Sequence, residues 1–438
     1  MCLPLPRALF KRNEGEDGLN GFASELLTLT GEQTKKELDT NQMRTQLLEE
    51  CSSNEGKCLT QIVPQANLQS QTKVLFIRPT TVVNGSEIYM LAGIYVSKGD
   101  VTGETSAGVR WRLLLSRGNV SDEDSKKRIQ WHDIDALQSM YNIQQEASLR
   151  DLIAGGGSGV KMEDGTLFFP VEGTKSNGAT AETTTVSLVL NSSVNDGWKL
   201  SKEISDGGCS DPSLVKWEKD KLIMMTACDD GRRKVYESGD KGESWTEALG
   251  TLSRVWGNKH KGHEKGVRSG FITATIENRN VMLVTLPVYS KEQGKEDNGK
   301  GSLHLWLTDN THIVDIGPVS EKDDDVTSSS LLYKSGKVNN EEELIALYEK
   351  KKEGTGEASL SYGMVSVLLT AQLQQVKEVL KTWKKVDGRV FKLCSSFLAA
   401  KVTSPGHACS ANVKITAGLV GFFPATSLGT HGGTSTSG

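Results

Sequence analysis

Residues 238–245 read Ser238-Gly239-Asp240-Lys241-Gly242-Glu243-Ser244-Trp245, an S-x-D-x-G-x-S-W turn of the kind called an Asp box. Each specified residue has a local task. Asp240 is expected to accept backbone N–H groups across the turn. Gly242 supplies a positive φ, and Trp245 packs back under the hairpin. This turn is tied to one architecture, the β-propeller. It is structural and carries no chemistry of its own.

Working outward from the box, a strand–turn–strand unit recurs. It runs from Pro79 through Asn84-Gly85 into Ile88-Tyr89-Met90-Leu91, and from Val160 through Asp164-Gly165 into Leu167-Phe168-Phe169. Further copies turn at Asp220, Asn278 and Gly336, so the turn centres lie 80, 55, 58 and 58 residues apart. Short apolar strands with Asn/Asp/Gly turns at such a period predict blades, each a small antiparallel sheet. Five units fit a propeller of four to eight blades, and no linker divides them into separate sandwiches. Gly155-Gly156-Gly157-Ser158-Gly159 is no phosphate loop, because no Lys-Ser/Thr follows it; it fits a turn before a blade strand.

The ends differ. Residues 22–50 are polar and read as loop or short helix. From about Ser366 the period changes: Leu369, Leu373, Val376, Leu380 and Trp383 share one face of a helix of roughly four to five turns, with Asp387-Gly388 as its stop. The stretch Ser427 to Gly438 is Gly/Ser/Thr-rich and reads as a disordered tail. The expected division is residues 1–70 as an atypical N-terminal segment, 71–365 as propeller, 366–423 as linking helix with its loop, and 424–438 as tail.

Bulk properties narrow the function. The 438 residues carry a net charge of −4 and no basic field, which argues against nucleic acid. No apolar run of 18 residues exists, so no transmembrane segment is expected. No signal peptide or anchor signal is visible. Sequons at Asn84, Asn119 and Asn191 are glycosylation candidates. Of seven cysteines, Cys51 with Cys58 and Cys394 with Cys409 bracket short loops suited to local disulfides, leaving Cys2, Cys209 and Cys228 over. His260 and His263 sit in a Gly/Lys-rich loop without metal-site company, and Asp323-Asp324-Asp325 reads as a solvated acidic loop. Lys350-Lys351-Lys352 reads as a solvated hairpin tip. No metal and no cofactor is expected.

Several stretches carry a resemblance. They are Cys209-Ser210-Asp211-Pro212, Val235-Tyr236-Glu237-Ser238 leading into the box, Gly250 to Gly257, Leu305-Trp306-Leu307-Thr308-Asp309-Asn310, and Val413 to Phe423. Over roughly residues 72–423 the chain resembles the trans-sialidase superfamily of protozoan parasite surface proteins. The resemblance implies an all-β fold: a six-bladed sialidase propeller, its first blade atypical or incomplete here, followed by a linking α-helix. The lectin-like sandwich that follows in the family is not expected in this chain.

In active members of that family a tyrosine nucleophile is assisted by a glutamate, an aspartate is the acid/base, and three arginines clamp the sialic acid carboxylate. Carried over by position, the glutamate falls on Asp211, one methylene shorter, and the second clamp arginine on Ala227. The third clamp arginine falls on Lys300, which loses bidentate geometry, and the tyrosine on Ser328. Arg232 and Arg233 match non-clamp arginines, and Tyr333 matches a strand tyrosine. The acceptor-stacking aromatic falls near Asn298. Arg78, before Pro79, falls where the family has a substrate-binding aspartate, a charge reversal. No position of the catalytic set is intact.

The function expected from these substitutions is a non-catalytic, trans-sialidase-like surface or secreted protein. It would serve as an adhesin or variable antigen with host glycoprotein, sialoglycan or extracellular matrix as partner. One alternative is a weak exo-α-sialidase or trans-sialidase working through Asp211. The other is a truncated copy without independent function, lacking a recognisable first blade, sandwich and anchor.

Overall fold

Runs such as Leu222-Ile223-Met224-Met225 are too apolar to remain exposed and too short to form separate cores. They pair through turns set by glycine, Asn and Asp. A computed structural model describes residues 34–38, 72–98, 110–120, 129–136, 149–176, 183–193, 197–202, 204–257, 268–289, 301–335, 342–352 and 361–399. Among them the chain builds five antiparallel sheets of blade type and one C-terminal helix. Six blades are expected from the resemblance; five sheets are seen among the described residues.

The first strand, β1, is Lys35–Leu38. It lies within the stretch expected to be loop or short helix, and it is extended instead. The first sheet then follows in chain order: β2 (Thr72–Asn84), β3 (Glu87–Lys98), β4 (Arg110–Val120) and β5 (Ile129–Ala136). The second uses β6 (Leu149–Ala154), β7 (Val160–Lys161), β8 (Leu167–Ser176), β9 (Thr183–Ser193) and β10 (Gly197–Leu200), in the order β10-β9-β8-β6 with β7 also paired to β8. The third holds β11 (Cys209–Trp217), β12 (Lys221–Cys228), β13 (Arg233–Ser238) and β14 (Thr246–Glu247). The fourth holds β15 (Phe271–Ile276), β16 (Arg279–Tyr289), β17 (Gly301–Thr308) and β18 (Ile313–Pro318). In the fifth, β19 (Val326–Lys334), β20 (Glu343–Lys352) and β21 (Ser361–Leu368) are joined by β1, in the order β1-β21-β20-β19. Each recurring hairpin of the sequence supplies two neighbouring strands of one sheet.

By its contacts the chain divides into two units, Met1–Phe271 with Gly363–Val365, and Ile272–Tyr362 with Ser366–Gly438. In the first, Leu91, Ala154, Phe169, Val171, Leu188 and Leu190 form a core between the first two sheets. A second core joins Val160, Met162 and Phe168 to Leu214, Leu222 and Met224 of the third sheet.

In the second unit the helix α1 (Thr370–Ala399) buries Leu373, Val376, Leu380 and Trp383, the expected stripe. It does not stop at Asp387-Gly388. Gly388 costs an exposed helix only about 1 kcal/mol relative to Ala. Asp387 is held within the helix by Arg279, 2.9 Å away.

The acidic and basic triplets are also corrected. Asp324 is buried and accepts hydrogen bonds from Tyr348 and Lys350, both at 2.9 Å, while Lys351 pairs with Asp325 at 3.0 Å. Two members of each run thus pair with each other, between the segment leading into β19 and the end of β20.

Candidate functional site

In the first unit, the opening strand of each sheet is interrupted. Strand β2 slips against β3 between Ile77 and Thr80, and β11 slips against β12 between Ser210 and Ser213. In the second sheet the opening strand breaks between Ala154 and Val160, where the glycine-rich segment lies. At the two slips the residue before proline, Arg78 or Asp211, has a φ of 50°. A left-handed conformation costs a non-glycine residue roughly 1–2 kcal/mol. Such bulges re-aim a side chain out of the strand's alternation.

The glycines allow the interrupted strands to approach. Gly155 donates to the Pro170 carbonyl at 2.9 Å, Gly156 to Thr80 Oγ1 at 2.9 Å, and Gly159 to the Thr81 carbonyl at 2.8 Å. A Cβ on Gly155 would lie 2.9 Å from the Pro170 oxygen and 3.0 Å from the Pro212 oxygen. One on Gly159 would lie 2.6 Å from both the Phe168 oxygen and Val82 Cγ2. The loop is the turn expected, and its glycines are required by close approach.

Four charges converge around it. Glu172, on β8 opposite Ile153, forms an ion pair with Arg78, and its Oε1 accepts the Asp211 backbone N–H at 2.7 Å. Arg268 donates Nε–H to Asp211 Oδ1 at 3.1 Å, and Arg78 Nη2 lies 3.8 Å from the same oxygen. The carboxylate side chains are 6% (Glu172) and 5% (Asp211) exposed, against 14% for Arg78 and 35% for Arg268. Burial alone would lower the Arg78 pKa, but the Glu172 and Asp211 charges outweigh it and the net shift is upward. Among the described residues the result is a neutral quartet of two guanidinium groups and two carboxylates.

Arg78 and Asp211 are thus brought together, and Ala227 lies close by, buried on β12 opposite Ser210. Ser328 belongs to the other unit, on β19 opposite Glu349. Lys300 and Asn298 lie outside the described residues. Five residues further along β19, the Tyr333 hydroxyl donates to Glu342 at 2.9 Å; burial and that carboxylate push its pKa up, opposite to the shift an activated nucleophile needs. Glu172 and Arg268 escaped the sequence reading. The available signal was a lone carboxylate inside the apolar run Phe168-Phe169-Pro170-Val171-Glu172.

The Asp box forms as expected between β13 and β14. Asp240 Oδ1 accepts the Ser244 N–H at 2.9 Å and the Ser238 hydroxyl at 2.7 Å. Gly242 has a φ of 88°, and Trp245 donates Nε1–H to its carbonyl at 3.0 Å while packing on the Phe168 core. Hydrogen bonds from Ser244 hold the Asp240 carboxyl down at about 2.

The cysteine pairing differs from expectation. Cys209 and Cys228, thought left over, form a buried disulfide across β11 and β12, two residues before Asp211. Cys51, Cys58 and Cys409 lie outside the described residues, as does the side chain of Cys394. Of the sequons, Asn84 flanks the turn into β3, Asn119 lies on β4 and Asn191 on β9. Among the described residues no helix is long and apolar enough to cross a membrane.

Comparison with known proteins bears on the family. Residues 18–349 match the BNR repeat-like domain. A sialidase of Trypanosoma cruzi is 33% identical over 74% of this chain and 26% of its own length. Sialidase 85-1.1 of the same organism is 35% identical over 71% of this chain and 40% of its own. The solved structure of Trypanosoma rangeli sialidase in complex with sialic acid matches with a TM-score of 0.60 at 29% identity, covering 80% of this chain and 52% of the other. The chain therefore spans between a quarter and about half of the length of these relatives. With its blade sheets, its Asp box and these matches, the chain belongs to the trans-sialidase/sialidase superfamily.

Proposed function

We propose that this chain is a non-catalytic member of its superfamily, a surface or secreted protein that binds host glycoconjugate or matrix as an adhesin or antigen. The observation that carries the reading is the neutral quartet around Asp211. A general base needs a carboxylate with a free lone pair facing the proton it takes and a pKa near the working pH. Asp211 is buried, and its Oδ1 accepts from Arg268 and lies 3.8 Å from Arg78, so that oxygen is already engaged by the protein's own cations. The substitutions at Ala227, Lys300 and Ser328 support the same reading, since alanine cannot pair a carboxylate and serine cannot form an aryl glycoside. The six-bladed plan of the family belongs to this proposal, with five of its sheets described above.

The buried Cys209–Cys228 disulfide supports a secreted or surface location, because such bonds persist in oxidising compartments. The three sequons, at Asn84, Asn119 and Asn191, point the same way. A second reading, a weak sialidase, rests on identities of 33% and 35% to sialidases. Turnover of a fluorogenic sialoside by cooperatively melting protein at high concentration separates the two. We expect no release above background. Release abolished by Asp211→Ala establishes an enzyme.

A further inference from the structure

We infer that Glu172 is the residue that closes this site to carboxylate-bearing sugars. The inference rests on the non-catalytic reading above and specifies what that site rejects. A guanidinium recognises a carboxylate through a planar fork of N–H donors, often two at once. Arg78 has such a partner supplied by its own chain, the Glu172 carboxylate, and Arg268 has Asp211. A ligand carboxylate would be a third anion against two cations, beside two carboxylates already almost wholly removed from water. Like charges at such a place repel strongly, and neither internal anion is positioned to leave.

Glu172 is held twice, by Arg78 and by the Asp211 N–H at 2.7 Å. That N–H is fixed by the bulge preceding Pro212. The glycine loop passes close to both arginines: a Cβ on Gly156 would stand 3.3 Å from Arg78 Cβ and 3.5 Å from Arg268 Cζ. Glu172 therefore acts as a built-in counter-anion. The sugars this site admits are uncharged ones, met through hydroxyl groups.

The test compares wild type with Glu172→Gln, which keeps the shape and the acceptor for the Asp211 N–H while removing the charge. The probes are methyl α-N-acetylneuraminate, read by thermal shift and calorimetry, and a panel of sialylated and neutral glycans. Wild type should show no saturable response to the sialoside. Glu172→Gln should bind it at least tenfold more tightly than the wild-type limit, and Arg78→Gln/Glu172→Gln should lose that gain. A folded Glu172→Gln with no gain overturns the inference, as does wild-type retention of sialylated over neutral glycans without turnover. Turnover by wild type sinks the parent reading instead, so the two failures are distinguishable. Should Glu172→Gln not melt cooperatively, the wild-type Arg78 and Arg268 Nε–H resonances decide in a titration with acetate. Resonances unmoved at high acetate support the inference, and a saturable shift overturns it.

Discussion

Asp309 shows how a single carboxylate couples the helix to a sheet of the second unit. It accepts the Thr311 and His312 backbone N–H groups at 3.0 and 2.7 Å and pairs with Arg279. Arg279 in turn reaches Asp387 on α1. His312 stacks on Trp383 with centroids 4.8 Å apart. Burial would raise the Asp309 pKa, but the His312 hydrogen bonds and the Arg279 charge bring it down to about 2, from an ordinary 3.8. The folded value lies below the unfolded one. The stabilisation is therefore complete above about pH 4 and lost as pH falls through 2, to a total of roughly 2 kcal/mol. Asp309→Asn should lower stability by about that amount at pH 5–7, with the deficit shrinking between pH 4 and 2. Urea melts of both proteins across that range check this, and a deficit independent of pH would sink it.

At the scale of elements, the β11–β12 hairpin combines a bulge that presents Asp211 with a disulfide closing a separation of 19 residues. Loop closure of that length is worth roughly 3 kcal/mol through the unfolded state. A Cys209→Ala/Cys228→Ala variant is expected to lose about that much in denaturant unfolding, while reductant leaves its melt unchanged and lowers that of the wild type. A melt of the native chain indifferent to reductant would argue that the bond contributes nothing.

This hairpin also shows what could be read from the residues alone. The turns at Asn84-Gly85, Asp164-Gly165 and Glu277-Asn278 were legible because turn chemistry is local: Gly85, Gly165, Glu277 and Asn278 all take positive φ. Counting outward from the Glu218–Asp220 turn brings Cys209 opposite Cys228 once a bulge is allowed for, yet nothing in the sequence marks the bulge. The pairings of Asp324 with Lys350 and of Glu172 with Arg78 were illegible for another reason. They join residues far apart in the chain whose approach depends on the turns and slips in between. The site was half visible: Arg78 and Asp211 stood out by resemblance, whereas Glu172 and Arg268 required the fold.

At the scale of the whole molecule, the fifth sheet takes its outermost strand from the other end of the chain, β1 pairing with β21. Without Lys35–Leu38 the backbone donors and acceptors of β21 would face solvent as an open edge, a template for association. Deleting residues 1–38 should lower the melting temperature by roughly 5 °C, taking about 1 kcal/mol for each net hydrogen bond lost. It should also raise light scattering before the transition. An unaltered melt and a clear solution would show that β1 does not complete the sheet.

The same pairing has a consequence during biosynthesis. The ribosome delivers Lys35–Leu38 early and their partner only after several hundred further residues, a wait of tens of seconds at ordinary elongation rates. Throughout that interval a strand with nowhere to dock travels with the growing polypeptide, so the fifth sheet closes only when two segments made far apart in time meet. Chaperone dependence should therefore respond to changes at this short strand more than its four residues would suggest.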